Sequence, residues 1–359
     1  MITKAGELIR PEILALSAYP VPSSEGFIKL DAMENPYAFP AELKPELMES
    51  LAAVSFNRYP DAGASELRTA IRDAMAIPDS LDIVLGNGSD EIIQMIAAAV
   101  AKPGATLMSF EPSFVMFKMI ATFCGLRYVG VPLTADFEID MNAVRIAINK
   151  RQPAVTFIAY PNNPTGNLFN RDAIREIIRL SPGLVVIDEA YFAFSSDSFL
   201  GEIANHPNAV LMRTVSKLGL AGLRLGLLAG HPQWIREFDK LRLPYNVNSL
   251  TQAAATFALK HYDALLAQAA SLRKTRADLL ASLRDVPGVT AFASEANFVL
   301  LRVPDSEKVF EGLRSRKILV KHTGASHPLL ANTLRVTIGT PSENAAFVKA
   351  LVVASGNAL

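Results

Sequence analysis

The chain has 359 residues, half of them hydrophobic and 19% charged, which suits two domains of roughly 100–200 residues each around a sizeable buried core. Its 35 basic residues balance 35 acidic ones, so no net field draws in nucleic acid or an anionic membrane surface. A single cysteine, Cys124, rules out an internal disulfide and sits at an apolar helix end, where core packing is the expectation.

Met1–Arg10 mixes acid and base without the apolar run of a secretion signal. No apolar stretch reaches membrane-spanning length, and a cytoplasmic protein is expected. Residues 1–45, with Pro11, Pro20, Pro22, Pro36 and Pro40, read as an extended arm. The middle of the chain then alternates short apolar strands with amphipathic helices. Strands are predicted at 81–85, 106–110, 154–160, 184–187 and 209–212, with helices at 92–100, 113–123 and 171–180. Continuously apolar strands joined by helices imply a mostly parallel sheet covered on both faces. Beyond Leu243-Pro244-Tyr245 the pattern changes. A long helical stretch over 249–284 precedes strands at 297–301, 318–321 and 334–338, a helix near 307–316, and a last helix that Ser342 could cap. The expected division is an arm with part of the small domain (1–45), a large α/β domain (46–245) and a small α+β domain (246–359).

Ligands of such sheets sit at the carboxyl ends of the strands, so chemistry is sought just after each one. Lys217, in Thr214-Val215-Ser216-Lys217, follows a strand in small, apolar surroundings. Desolvation there would lower its pKa and free a neutral amine. Asp188 ends another strand, and a carboxylate in such a place is costly unless it meets a cation. Tyr191 follows three residues later. Pro161-Asn162-Asn163-Pro164-Thr165-Gly166 is a turn at a third strand end, able to aim the Asn163 amide at the same point. Gly86-Asn87-Gly88-Ser89-Asp90 opens a helix whose free N–H groups suit a phosphate. Glu91 stands where a third glycine would be needed, so the turn is no dinucleotide fingerprint. Phe114 could stack on a flat ring. The five histidines show no metal-ligand spacing, and His322 and His327 read as solvated loop residues; no metal is expected.

Together these landmarks resemble the fold-type-I pyridoxal phosphate (PLP) aminotransferases. Their order along the chain matches that family: glycine-rich turn, Asn-Asn-Pro-Thr-Gly, Asp-Glu-Ala-Tyr, then Ser-Lys with a downstream Arg224. The resemblance implies a seven-stranded, mostly parallel sheet in the large domain, PLP as cofactor, and a Schiff base on Lys217 that later releases the amine to shuttle a proton. It further implies that Asp188 pairs the pyridine nitrogen and that Asn163 and Tyr191 hold the ring oxygen. Ser89, Asp90, Ser216 and Arg224 would surround the phosphate, with Phe114 on the ring. Phe114 stands where a tyrosine is expected, so it can stack without donating. Tyr59 would reach the cofactor of a second subunit, which requires a homodimer. Ala32-Met33-Glu34-Asn35-Pro36-Tyr37, Arg58-Tyr59-Pro60-Asp61 and Leu334-Arg335-Val336-Thr337 are most similar to the branch that exchanges the amino group of L-histidinol phosphate with 2-oxoglutarate, giving imidazole acetol phosphate and L-glutamate in histidine biosynthesis. On that likeness, Tyr19, Asn35, Lys321 and Arg335 contact the substrate, with Lys321 in place of an expected arginine. Aromatic-amino-acid aminotransferases and PLP-dependent phosphothreonine decarboxylases share the same ring motifs and stand as alternatives.

Overall fold

The computed structural model describes residues 4–18 and 21–356. Strands are numbered along the chain: β1 (Ile28–Leu30), β2 (Asp82–Gly86), β3 (Thr106–Glu111), β4 (Arg127–Pro132), β5 (Val155–Ala159), β6 (Leu184–Asp188), β7 (Ala209–Thr214), β8 (Gly226–Gly230), β9 (Thr290–Ala291), β10 (Phe298–Arg302), β11 (Ile318–His322) and β12 (Thr333–Thr337).

β2 to β8 form one sheet of seven strands, in the order β2-β8-β7-β6-β5-β3-β4. β4, β3, β5, β6 and β7 run parallel, and β8 runs antiparallel to both β7 and β2. Alternate residues of a strand face opposite sides, and here both sides are buried. Phe157, Val186, Val210 and Leu228 pack with Ile92, Ile96, Phe117 and Phe238 on one face. Ile158, Ile187, Leu211 and Leu227 pack with Leu67, Ile71, Ile174 and Ile177 on the other. Each such side chain contributes about 1.5–3 kcal/mol on burial. The second face continues into the core of a five-stranded sheet, β1-β11-β12-β10-β9, through Phe298, Leu300, Leu334 and Val336.

Several expectations shift in detail. The helical stretch 249–284 is two helices, Ser249–Lys260 and Tyr262–Arg284, divided at His261. Ser342 is not the cap of the last helix, Pro341–Ala354. Thr340 is: its Oγ1 accepts the Glu343 N–H at 3.3 Å, and Glu343 Oε2 accepts the Thr340 N–H at 2.7 Å. The arm is not uniformly extended. It holds short helices Ala5–Leu8 and Pro11–Leu14, and β1 adds in parallel to β11. Nor are the two histidines simply solvated loop residues, since His322 ends β11. His322 bonds the Ser306 hydroxyl at 2.9 Å and lies beside Phe310, while His327 accepts the Leu329 N–H.

β2, β5, β6 and β7 all end on one edge of the large sheet. Gly226 of β8 pairs with Gly86 on one side and Thr214 on the other. A Cβ built on Gly226 would lie 2.8 Å from the Gly88 carbonyl carbon and the Ser89 nitrogen. Bare backbone therefore fixes how near the turn after β2 lies to the turn after β7.

Candidate active site

The strand ends converge on one pocket of about 590 Å3, counting its mouth. Lys217 is carried by a tight turn, Ser216–Leu218, which Gly219 closes at φ +101. Thr214 braces that turn by accepting the Ser216 N–H at 3.2 Å and donating to the Leu225 carbonyl at 2.9 Å. The Lys217 amine donates to the Ala32 carbonyl at 3.3 Å. Burial, then the nearby Arg335 charge, pushes its pKa down to about 8, so a neutral amine is available close to neutral pH.

Asp188 is 4% exposed and receives the Ala190 N–H at 3.0 Å. Burial above all, with added repulsion from Asp90 and Glu189, pushes its pKa up to about 7 against the opposing Lys217 charge. A carboxylate so poorly solvated calls for a cationic partner. Opposite it, Asn163 Nδ2 donates to the Tyr191 hydroxyl at 3.1 Å, and Asn163 Oδ1 accepts from Arg335 Nη1 at 2.7 Å. Arg335 also donates to the Asp31 carbonyl at 2.7 Å. It is 9% exposed on β12, between β10 and β11, and so is no surface arginine on an edge strand.

The turn after β2 forms the anion-binding end. Gly88 has φ +88, a conformation that side-chain-bearing residues rarely adopt, and a Cβ there would also crowd Arg224 Nη2 at 2.7 Å. The helix Ser89–Val100 has no side-chain cap, which leaves its first N–H groups directed outward. Arg224 stands 4.0 Å from the Asp90 carboxylate. Glu91 braces the turn, accepting the Asn87 N–H at 2.6 Å and the Asn246 amide at 2.8 Å. Phe114 lies along the wall, set edge-on against Phe117.

The structure thus gathers Lys217, Asp188, Asn163, Tyr191, Ser89, Asp90, Ser216, Arg224 and Phe114 around one cavity. Arg335 touches it through Asn163. Four other candidates are placed differently. Tyr19 lies outside the described residues. Asn35 does not line the pocket: its amide donates to Gln268 at 2.9 Å and its Oδ1 accepts the Tyr37 N–H, so it ties the arm to the helix Tyr262–Arg284. Lys321 lies directly across from Arg335 in the β11–β12 register and lines an adjoining cavity instead. Tyr59 is 80% exposed, stacks on Tyr245 at 4.4 Å and does not line its own pocket.

Sequence reasoning passed over three contributors. Met33, at φ +53, lines the pocket, with its N–H held by Thr337 and its carbonyl by Asn297. Thr214 also lines it. Beneath Asp188, the fully buried Glu189 receives Arg213 at 2.8 and 3.0 Å, Ser198 at 2.9 Å and the Phe199 N–H at 2.6 Å. The adjacent Glu and Arg in the two motifs carried that signal, though only a fold could pair them.

A buried amine, a buried acid and an anion-binding helix start on adjoining strand ends are the apparatus of amino-group transfer, and the chain belongs to the family described as aminotransferase class I and II, whose sequence model matches residues 25–351. It is 56% identical over 345 residues to the histidinol-phosphate aminotransferase of Chromobacterium violaceum, covering 96% of this chain and 97% of that one. It is 51% identical to histidinol-phosphate aminotransferase 1 of Ralstonia nicotianae, covering 96% and 94%. In fold it resembles the histidinol-phosphate aminotransferase of Sinorhizobium meliloti in complex with pyridoxal-5'-phosphate, with a TM-score of 0.86 over 97% of each chain at 22% identity.

Proposed function

We propose that this protein is a PLP-dependent aminotransferase that moves the amino group of L-histidinol phosphate to 2-oxoglutarate, giving imidazole acetol phosphate and L-glutamate. The observation that carries the reading is the Lys217 amine, desolvated and sharing one pocket with the buried Asp188. Relatives of that name at 51% and 56% identity over nearly the whole chain supply the substrate.

The donor set fits the cofactor. Asp188 would face the ring nitrogen, and Asn163 and Tyr191 the ring oxygen. Phe114 would lie on the ring, while Ser89, the Asp90 N–H, Ser216 and Arg224 would hold the phosphate. When bound, PLP supplies an aldehyde that takes up the amino group and a ring that accepts electrons from the substrate Cα. Lys217 does the proton work. Its amine would take the Cα proton and give it back once the cofactor is bound, and burial, by lowering the amine's pKa to about 8, leaves part of it unprotonated near neutral pH. Asp188, ionised against a cation, holds the ring in its electron-accepting form. Arg335 grips the anionic end of each substrate, with its guanidinium oriented by Asn163 and the Asp31 carbonyl. Lys321, opposite it in register, adds a second positive charge for a substrate phosphate. Tyr19 belongs to the same substrate set.

The reading extends to a cytoplasmic homodimer built as an arm (1–45), a large cofactor domain (46–245) and a small domain (246–359). Phe56, Tyr59 and Leu243 are 78%, 80% and 70% exposed, apolar side chains that a second copy would cover. Tyr59 would then reach the neighbour's phosphate. Among the described residues, no helix is long and apolar enough to cross a membrane.

The decisive test is the half-reaction of the yellow holoenzyme with L-histidinol phosphate, followed by absorbance beside phenylalanine and phosphothreonine. Bleaching fastest with histidinol phosphate is expected, and preference for either rival substrate would overturn the assignment. Lys217→Ala should lose both turnover and the visible absorbance.

A further inference from the structure

Between the segment that follows Tyr191 and the helix Tyr262–Arg284 runs a second cavity, a groove of about 1010 Å3 counting its open side. It shares no lining residue with the catalytic pocket. Three guanidinium groups reach it, from Arg213, Arg273 and Arg276, and their anionic balance is uneven. Arg213 is neutralised from behind by Glu189 at 2.8 Å. Arg276, whose side chain is only 11% exposed, donates through Nη1 to the Ala296 and Phe194 carbonyls at 2.8 and 3.3 Å, while the Glu295 carboxylate lies no nearer than 3.9 Å and already accepts the Ser196 N–H at 2.8 Å. Arg273 has no carboxylate at ion-pair distance among the described residues, and its Nη1 donates to the Ala193 carbonyl at 2.6 Å. Arg273 and Arg276 lie three residues apart on one helix face, an unfavourable spacing for like charges. Burial first, and then Arg273, holds the Arg276 pKa below its usual value.

Part of the remaining wall is apolar, beside the polar Ser195, Ser196 and Glu295. Phe192, Tyr262 and Leu266 line it, and the Arg213 guanidinium lies 4.3 Å over the Phe192 ring. A bare phosphate would meet the charge and leave this wall wetted. A carboxylate on a ring meets both needs, because guanidinium groups take carboxylates bidentately and apolar walls take rings.

We propose that the groove is a binding site for a small aromatic carboxylate, its anionic group bridging Arg273 and Arg276 and its ring lying between Phe192 and Tyr262.

Calorimetric titration of the holoenzyme with phenylacetate tests this, using an Arg335→Ala background to silence the anion grip of the catalytic pocket. That variant should still bind one phenylacetate per chain. Adding Arg273→Ala should weaken the binding at least tenfold, and inorganic phosphate should bind more weakly than phenylacetate. Wild-type crystals soaked in 4-bromophenylacetate give an answer that needs no variant to fold: bromine scattering is expected between Phe192 and Tyr262. No binding to Arg335→Ala, unchanged affinity after loss of Arg273, phosphate binding as tightly as phenylacetate, or bromine found only elsewhere would each overturn the proposal.

Discussion

Asp188 should stabilise the cofactor and destabilise the empty protein, and Asp188→Asn separates the two effects. Its carboxyl is 4% exposed, and burial raises its pKa from 3.8 to about 7. A raised carboxyl pKa means that the folded cofactor-free protein binds more protons than the unfolded chain between pH 4 and pH 7. Stability therefore falls as pH rises through that window, the reverse of the usual salt-bridged carboxylate. A shift of this size, which already includes the opposing Lys217 charge, corresponds to about 4 kcal/mol at most, and relaxation around a buried charge brings the expectation to about 2–4 kcal/mol. Asparagine keeps the shape and the Ala190 contact without the charge. Urea unfolding of cofactor-free protein should therefore show Asp188→Asn more stable than wild type by about 2–4 kcal/mol at pH 8, with the gain shrinking toward zero by pH 4. The same variant should bind PLP at least tenfold more weakly. A variant less stable at pH 8, or a gain that ignores pH, would show that the carboxylate is not the strained group described here.

Other outcomes follow from the same geometry. Arg335→Lys replaces a fork by a point charge and should lower kcat/KM for histidinol phosphate by about 10–100-fold, seen mainly in KM, in steady-state assays. Arg213→Met leaves the fully buried Glu189 without its cation and should cost about 3–5 kcal/mol in denaturant unfolding, most of it restored by adding Glu189→Gln. Competitive acetylation of cofactor-free protein should show Lys217 labelling with a midpoint near pH 8, well below the ordinary lysine range. Tyr59→Phe should weaken PLP binding in a protein that still sediments as a dimer, whereas unchanged affinity would remove Tyr59 from the partner's site.

What the sequence made legible depended on how local the signal was. β5, β6 and β7 stand out as unbroken apolar runs because both their faces are covered. β4 escaped notice: as an edge strand it is half exposed along most of its length, and its Gly-Val-Pro end lowers the apolar density. β8, Gly-Leu-Leu-Ala-Gly, merged with the apolar residues before it, and β1 is three residues long. Most of the pocket-lining residues were readable because they lie in short motifs at strand ends, where backbone geometry already fixes their direction. That Asn35 and Lys321 stand off the pocket lining was not legible, because their positions depend on partners far along the chain, Gln268 and the β11–β12 register. Nothing local tells that Met33 adopts φ +53 or that its backbone is held by Thr337 and Asn297, more than 260 residues away.

The contact of Gly226 with Gly88 and Ser89 has a further bearing on how this enzyme can change. Side chains can swing or shorten, yet the gap there is set by main chain against main chain, with no rotamer able to absorb an added methyl. Gly226→Ala would lift the turn after β2 away from the lysine-bearing one. Affinity for the coenzyme could then decline in a protein whose every ligand-touching residue remained intact. Loss of function by that route would pass unseen in any survey confined to the groups that meet the bound molecule.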